Sequence, residues 1–252
     1  ARGEGQSYTG TFDGLGNRII GLTAEKGLIA NNGGIVRNME IYSSVFTGEN
    51  AGAVASQNNG GWISDVTGLG NSITGTGSIG GMVGINNGYM GNLADQSTVI
   101  AGENTIAGGL AGTNHGYIEN AQTNSAVTTN IGANGKASQM GGIAGVNYDG
   151  NGDAVGISNV SAHGVTGKES HTETAGGIVG ANHGTISEAY NESVLNGSLG
   201  IGGIAGINQN DGEQSASISN VANAMEIIGD AGSQNVGGLV GNQQSGTISD
   251  GR

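Results

Sequence analysis

One phrase recurs along this chain and limits what it can fold into. Glycine, two apolar residues, a small residue, any residue and an amide follow one another in Gly81-Met82-Val83-Gly84-Ile85-Asn86. The same order returns in Gly109-Leu110-Ala111-Gly112-Thr113-Asn114 and in Gly177-Ile178-Val179-Gly180-Ala181-Asn182. Eight copies align on a glycine column: Gly27, Gly52, Gly81, Gly109, Gly142, Gly177, Gly203 and Gly238, at spacings of 25 to 35 residues. Three residues on, the column is small: Ala30, Ala55, Gly84, Gly112, Gly145, Gly180, Gly206 and Gly241. Five residues on, it is an amide: Asn32, Gln57, Asn86, Asn114, Asn147, Asn182, Asn208 and Gln243. A fixed period of this length is the signature of a solenoid, in which each repeat buries its apolar face only against its neighbours.

One repeat of about 30 residues suits one coil of three short strands, with successive coils pairing in parallel about 4.8 Å apart. The fold expected is all-β, a right-handed parallel β-helix of about eight coils. Residues 1–26 read as an entry or capping segment, and residues 27–252 as one elongated repeat domain. The end at Ser249-Asp250-Gly251-Arg252 falls inside a repeat, so the chain reads as a fragment. Composition agrees. Glycine supplies 54 of 252 residues and proline none, which excludes collagen and Pro-rich linkers. Aromatics make up only 4%, as a narrow core requires.

Two apolar columns follow the glycine phrase. One is Ile63, Met90, Ile118, Ile157, Ile186, Ile218 and Ile248; the other is Val99, Val127, Val165, Val194 and Ile227. A second polar column, Asn38, Asp65, Asn92, Asn120, Asn159, Glu188, Asn220 and Asp250, comes two residues after the first apolar column. Asparagine tolerates the left-handed conformation, so these positions read as turns, and stacked amides can bond from coil to coil.

The net charge is −13, and no Lys or Arg lies between Arg37 and Lys136 or between Lys168 and Arg252. Such a surface repels nucleic acid and anionic membranes. There is no cysteine, so disulfides and thiolate metal sites are excluded. No apolar run reaches membrane-spanning length, so membrane insertion is not expected.

The phrases resemble the GLUG repeat of bacterial surface proteins, whose usual form is Gly-Gly-Leu-Val-Gly-x-Asn-x-Gly-x-Ile followed by a Tyr/Ala and Val-x-Gly stretch. Gly177 to Val194 matches it most closely, including Ala189-Tyr190 and Val194, and Tyr8 to Leu22 resembles an entry segment that precedes such repeats. The resemblance covers nearly the whole chain. It implies a β-solenoid within a large secreted adhesin, and it also occurs beside the catalytic domain of immunoglobulin-A-cleaving peptidases. It carries no catalytic residues to transfer.

Three candidate features remain. Trp62, Tyr89 and Tyr117 precede the first apolar column in successive coils, so they should point outward as an aromatic ladder, with Glu119 on its rim. Aromatic faces bind sugars, so a glycan or a host or matrix surface component is the expected partner, with self-association as another role; cross-strand stacking alone is the plainer reading. Asp149, Asn151 and Asp153 offer alternating oxygen ligands in a glycine-rich loop, which resembles half of a calcium loop. The closing Glu is missing, position 160 being Val, and a polar insertion is the simpler reading. Gly75-Thr76-Gly77-Ser78-Ile79-Gly80 matches a dinucleotide fingerprint, but no helix follows it. His115 and His183 share a turn column and read as turn residues. The function expected is a structural stalk and binding segment of a secreted bacterial adhesin, with a glycan-active β-helix enzyme or the non-catalytic part of a peptidase as the rival.

Overall fold

The computed structural model describes residues 6–130, 135–148, 156–167, 172–212, 215–229 and 233–252. Among them the regular structure is all strand, arranged as a parallel β-helix. Three sheets run along it. An eight-stranded sheet carries the amide phrase once per coil, from Ile29–Asn32 to Val240–Gln243. A longer sheet follows with the main strands, such as Trp62–Thr76, Tyr89–Ala101 and Tyr117–Thr129. A third sheet of six short strands, such as Ser78–Gly80 and Ile106–Gly108, closes each coil. Every strand pair within the three sheets is parallel, and partners lie one coil apart.

The first apolar column is one continuous inward row. Register pairs Val36 with Ile63, Ile63 with Met90, Met90 with Ile118, Ile118 with Ile157, and so on to Ile218 with Ile248, which is itself exposed. Ile63, Met90, Ile118 and Ile186 are fully buried. A second row, Val54, Met82, Leu110, Ile143, Ile178 and Ile204, faces it from the amide phrase and is equally buried. Each buried aliphatic contributes about 1.5–3 kcal/mol, and only when the neighbouring coil covers it. The entry segment joins this stack: Thr11–Ile20 pairs with Ile35–Tyr42, and Phe12 extends the apolar row beside Val36.

The glycine columns let the coils approach. A methyl group on Gly109 would collide with the carbonyl oxygen of Gly142 in the next coil, and one on Gly81 with that of Gly109. The constraint here is backbone approach rather than an unusual φ.

The second polar column is where the main strand bends. All eight of its members, including Glu188 at φ 52° and Asp250 at φ 50°, are left-handed. Such a residue reverses the in–out alternation of its strand. In Tyr89–Ala101, Met90 faces inward before the bend, and Leu93, Asp95, Ser97, Val99 and Ala101 face inward after it.

That reversal corrects part of the second apolar column. Val99 and Val127 face the core, but Val165 and Val194 lie one residue short of the inward position and are exposed. Register pairs Val127 with Thr166, and Thr166 with Leu195, so Thr166 and Leu195 take the buried places. Ile227 lies in no strand. A second correction concerns coil two. Register pairs Ile29 with Ala55 and Ala55 with Val83, which puts Ala53, Ser56 and Asn58 in the glycine, small and amide columns. Gly52, Ala55 and Gln57 each sit one residue too early.

The corrected amide column is a buried ladder. Asn32 Nδ2 donates to Asn58 Oδ1 at 2.9 Å, Asn58 to Asn86 at 2.8 Å, and Asn86 to Asn114 at 2.8 Å. It continues through Asn147, Asn182 and Asn208 to Gln243 Oε1. The Oδ1 of Asn86 also accepts from the backbone N–H of Gly88 at 3.2 Å, which fixes the turn that follows.

Candidate functional site

The outward aromatic positions lie where the alternation places them. Register pairs Trp62 with Tyr89 and Tyr89 with Tyr117. The rings of Trp62 and Tyr89 stack with centroids 3.6 Å apart and planes 22° from parallel. Tyr117 is exposed but does not continue the stack, because Tyr89 lies along its own strand over Gly91. A side chain on Gly91 would strike that ring, so the glycine permits the pose. The Tyr89 hydroxyl donates to Glu119 Oε1 at 2.8 Å. Burial first, and the Glu119 carboxylate second, raise the Tyr89 phenol to about 12. The strip is therefore a stacked pair plus a separate tyrosine. The pair covers its two facing ring surfaces, and Trp62 remains exposed.

A second ring stack was not legible as such in the sequence. Tyr148 lies between His115 and His183, with centroids 4.6 and 5.0 Å away and nearly parallel planes. These residues follow the amide ladder directly, and register pairs Tyr148 with His183. His183 Nδ1 lies 3.0 Å from the carbonyl oxygen of Gln209. Burial lowers the His115 pKa, with Asp211 opposing, and raises that of Tyr148. The expected turn role for the two histidines now includes this stack. The neighbouring calcium candidates Asp149, Asn151 and Asp153 lie outside the described residues.

The left-handed column forms a concave corner along the coils. Within it lie three depressions of ≈280, ≈580 and ≈480 Å³. The first two share Thr67 as a lining residue, and the last two share Glu188 and Tyr190, so they follow one another along the corner as a groove-like row from the entry segment to the last coil. One wall is the left-handed column itself; the other is the position two residues later, including Thr67, Ala94, Gln122, Ser161 and Tyr190. Both walls point outward because they stand two residues apart on one face of the strand, with an inward residue such as Leu93 between them.

Tyr190 belongs to a cluster that sequence spacing did not reveal. Its hydroxyl donates to Glu192 Oε1 at 2.5 Å, and His163 Nδ1 lies 3.0 Å from Glu192 Oε2. The His163 ring meets Tyr190 edge-on with centroids 6.5 Å apart. The hydrogen bond from Tyr190 and then His163 lower the Glu192 pKa, and the same hydrogen bond raises that of Tyr190. His163 and Glu192 are paired across adjacent strands, although 29 residues apart in the chain.

Inside the long sheet, Asp95 is a buried carboxyl that accepts three hydrogen bonds. Ser97 donates its N–H to Oδ2 at 3.1 Å and its hydroxyl to Oδ1 at 2.8 Å, and Ser125 donates to Oδ2 at 2.7 Å. Desolvation outweighs these bonds and raises the pKa to about 7. Gly68, its register partner, leaves room for the carboxyl.

No protein-family model, curated protein or solved structure matches this chain. Among the described residues, no group of three or more His, Cys, Asp or Glu side chains is placed to hold a metal ion.

Proposed function

We propose that this chain is a structural stalk and binding segment of an extracellular bacterial surface adhesin, built from GLUG-like repeats. The observation that carries the reading is the unbroken amide ladder from Asn32 to Gln243, buried from Asn32 to Asn208. Eight coils at about 4.8 Å make a rod about 40 Å long. Ladders that span every coil favour a stiff spacer over a mobile catalytic scaffold. The net charge of −13 suits a soluble, surface-displayed segment whose partner is a glycan or a host or matrix component rather than nucleic acid or an anionic membrane. The matched Gly177 to Val194 phrase adds the resemblance to secreted adhesins.

One observation favours the rival enzyme, the Tyr190–Glu192–His163 cluster, of which Tyr190 lines the groove. A glycan hydrolase ordinarily needs two carboxyls flanking its substrate. The acids of the left-handed column, Asp65, Glu188 and Asp250, stand in the second, sixth and eighth coils, and none has an acidic neighbour in that column.

The test is antibody labelling of intact cells that express the native protein, before and after protease shaving, with purified segment added as a competitor in an attachment assay. Surface labelling that shaving removes, and attachment reduced by the competitor, are the expected results. Labelling only after lysis overturns the extracellular reading; release of reducing sugar from a glycan substrate establishes the enzyme instead.

A further inference from the structure

We propose that the groove along the left-handed corner, and not the Trp62–Tyr89 strip, is the ligand-binding surface, and that its ligand is a linear, uncharged polysaccharide lying along the coil axis. The inference deepens the reading of the chain as a binding segment and rests on it.

Three observations carry it. The first is alignment: neighbouring depressions share Thr67, or Glu188 and Tyr190, as lining residues, so they line one corner from coil to coil. The second is chemistry. The central part presents amides and hydroxyls from both walls, among them Asn92, Asn120 and Asn159 on one side and Gln122 and Ser161 on the other. These groups repeat at the coil spacing of about 4.8 Å, close to the advance of one sugar ring in an extended chain. Amides both donate and accept, which suits sugar hydroxyls. The acids Asp65, Glu188 and Asp250 along the same wall repel a polyanion, and Arg252 at the far end is the one basic residue lining the three depressions among the described residues.

The third observation is the ring. Tyr190 stands between Ser161 and Ala222 in the adjacent coils, so small neighbours flank it along the axis. His163 meets it edge-on, and its hydroxyl is held by Glu192. The ring is thus fixed where it lines two depressions, with no parallel ring against either face among the described residues, whereas Trp62 and Tyr89 each give one face to the other at 3.6 Å. A sugar ring needs an open aromatic face.

The experiment is calorimetric titration of the whole chain with cellohexaose, N-acetylchitohexaose, mannohexaose and maltohexaose, their trisaccharides, and polygalacturonate as the anionic polymer. At least one neutral hexasaccharide should bind, at least tenfold more tightly than its trisaccharide, and polygalacturonate should not. Tyr190→Ala and the groove-filling Gln122→Trp should each weaken binding at least tenfold, and Tyr190→Phe should retain it. Both substituted positions are on the surface, and an unchanged melting curve separates lost binding from lost fold. Binding to no neutral hexasaccharide, or equal binding by wild type and Gln122→Trp, overturns the groove. Loss only in Trp62→Ala moves the site to the aromatic strip and leaves the binding-segment reading intact; cell-surface labelling tests that reading separately.

Discussion

Asn114 donates its side-chain N–H to the Oδ1 of Asn147 at 2.8 Å, across 33 positions of chain and inside a fully buried column. Asn114 also accepts from Asn86 at 2.8 Å, so it is a relay in the ladder rather than an end of it. Replacing it breaks these two bonds and two more to the Gly116 backbone, and it leaves the Gly116 N–H and the Asn147 Oδ1 without that partner. At about 1–3 kcal/mol for each unsatisfied group, Asn114→Leu should destabilise the chain by about 2–5 kcal/mol. Chemical denaturation should show the loss, and Asn87→Leu on the exposed turn should show little.

Gly145 makes a sharper packing test. A methyl group there would lie 2.5 Å from Ile106 Cγ2 and 2.8 Å from the backbone nitrogen of Ala107 and the carbonyl oxygen of Gly112. Two of these atoms are backbone and cannot step aside, so Gly145→Ala should lower the melting temperature measurably and Gly145→Phe should prevent cooperative folding. A methyl group on Gly238 would have no neighbouring atom within 4 Å, and Gly238→Ala should melt like wild type. Equal melting of the Gly145 and Gly238 variants would show that the small column does not set the coil spacing.

Asp95 predicts a pH dependence with a definite sign. Its folded pKa, near 7, lies above the usual carboxyl value of 3.8, so the folded chain holds the proton more tightly. This group's contribution is therefore fully present below pH 3.8, declines as pH rises towards 7 and is lost above it. Asp95→Asn should remove that decline and stabilise the chain at pH 8 by up to about 4 kcal/mol, the equivalent of the shift. Denaturation midpoints between pH 4 and pH 8 measure it; parallel curves for wild type and variant would show that Asp95 ionises without cost.

Tyr89 should titrate late. Ultraviolet difference titration should find one tyrosine ionising near pH 12, and Tyr89→Phe should remove that step. Glu119→Gln should lower its midpoint, because the carboxylate that accepts the phenol hydrogen at 2.8 Å and repels the phenolate is then gone.

Much of this architecture was legible in the chain before any coordinates. Repetition of Gly-apolar-apolar-small-x-amide demands stacked coils, because a single repeat cannot bury its own apolar pair. The residues of the left-handed column were identifiable as turns because Asn and Asp fill seven of the eight places. The outward direction of Trp62, Tyr89 and Tyr117 followed from alternation alone. Register was the weak point where identical residue types lay side by side. Gln57 and Asn58 are both amides, and only the bonds from Asn32 and to Asn86 select the second. Val165 and Val194 look like core residues, but the left-handed Asn159 and Glu188 before them reverse the alternation and turn them outward.

Composition and period thus determined the all-β solenoid, its number of coils and its polar columns, since these depend on local propensity and on what each repeat must bury. The tertiary structure alone decided which residues meet across coils. It brought His163 to Glu192, placed Tyr148 between two histidines, buried Asp95 against Ser125 and set three depressions one after another along one corner. Those pairings depend on coil lengths that vary with insertions and on a strand bend that shifts side chains from one face to the other, and they appear only when the coils are stacked in register.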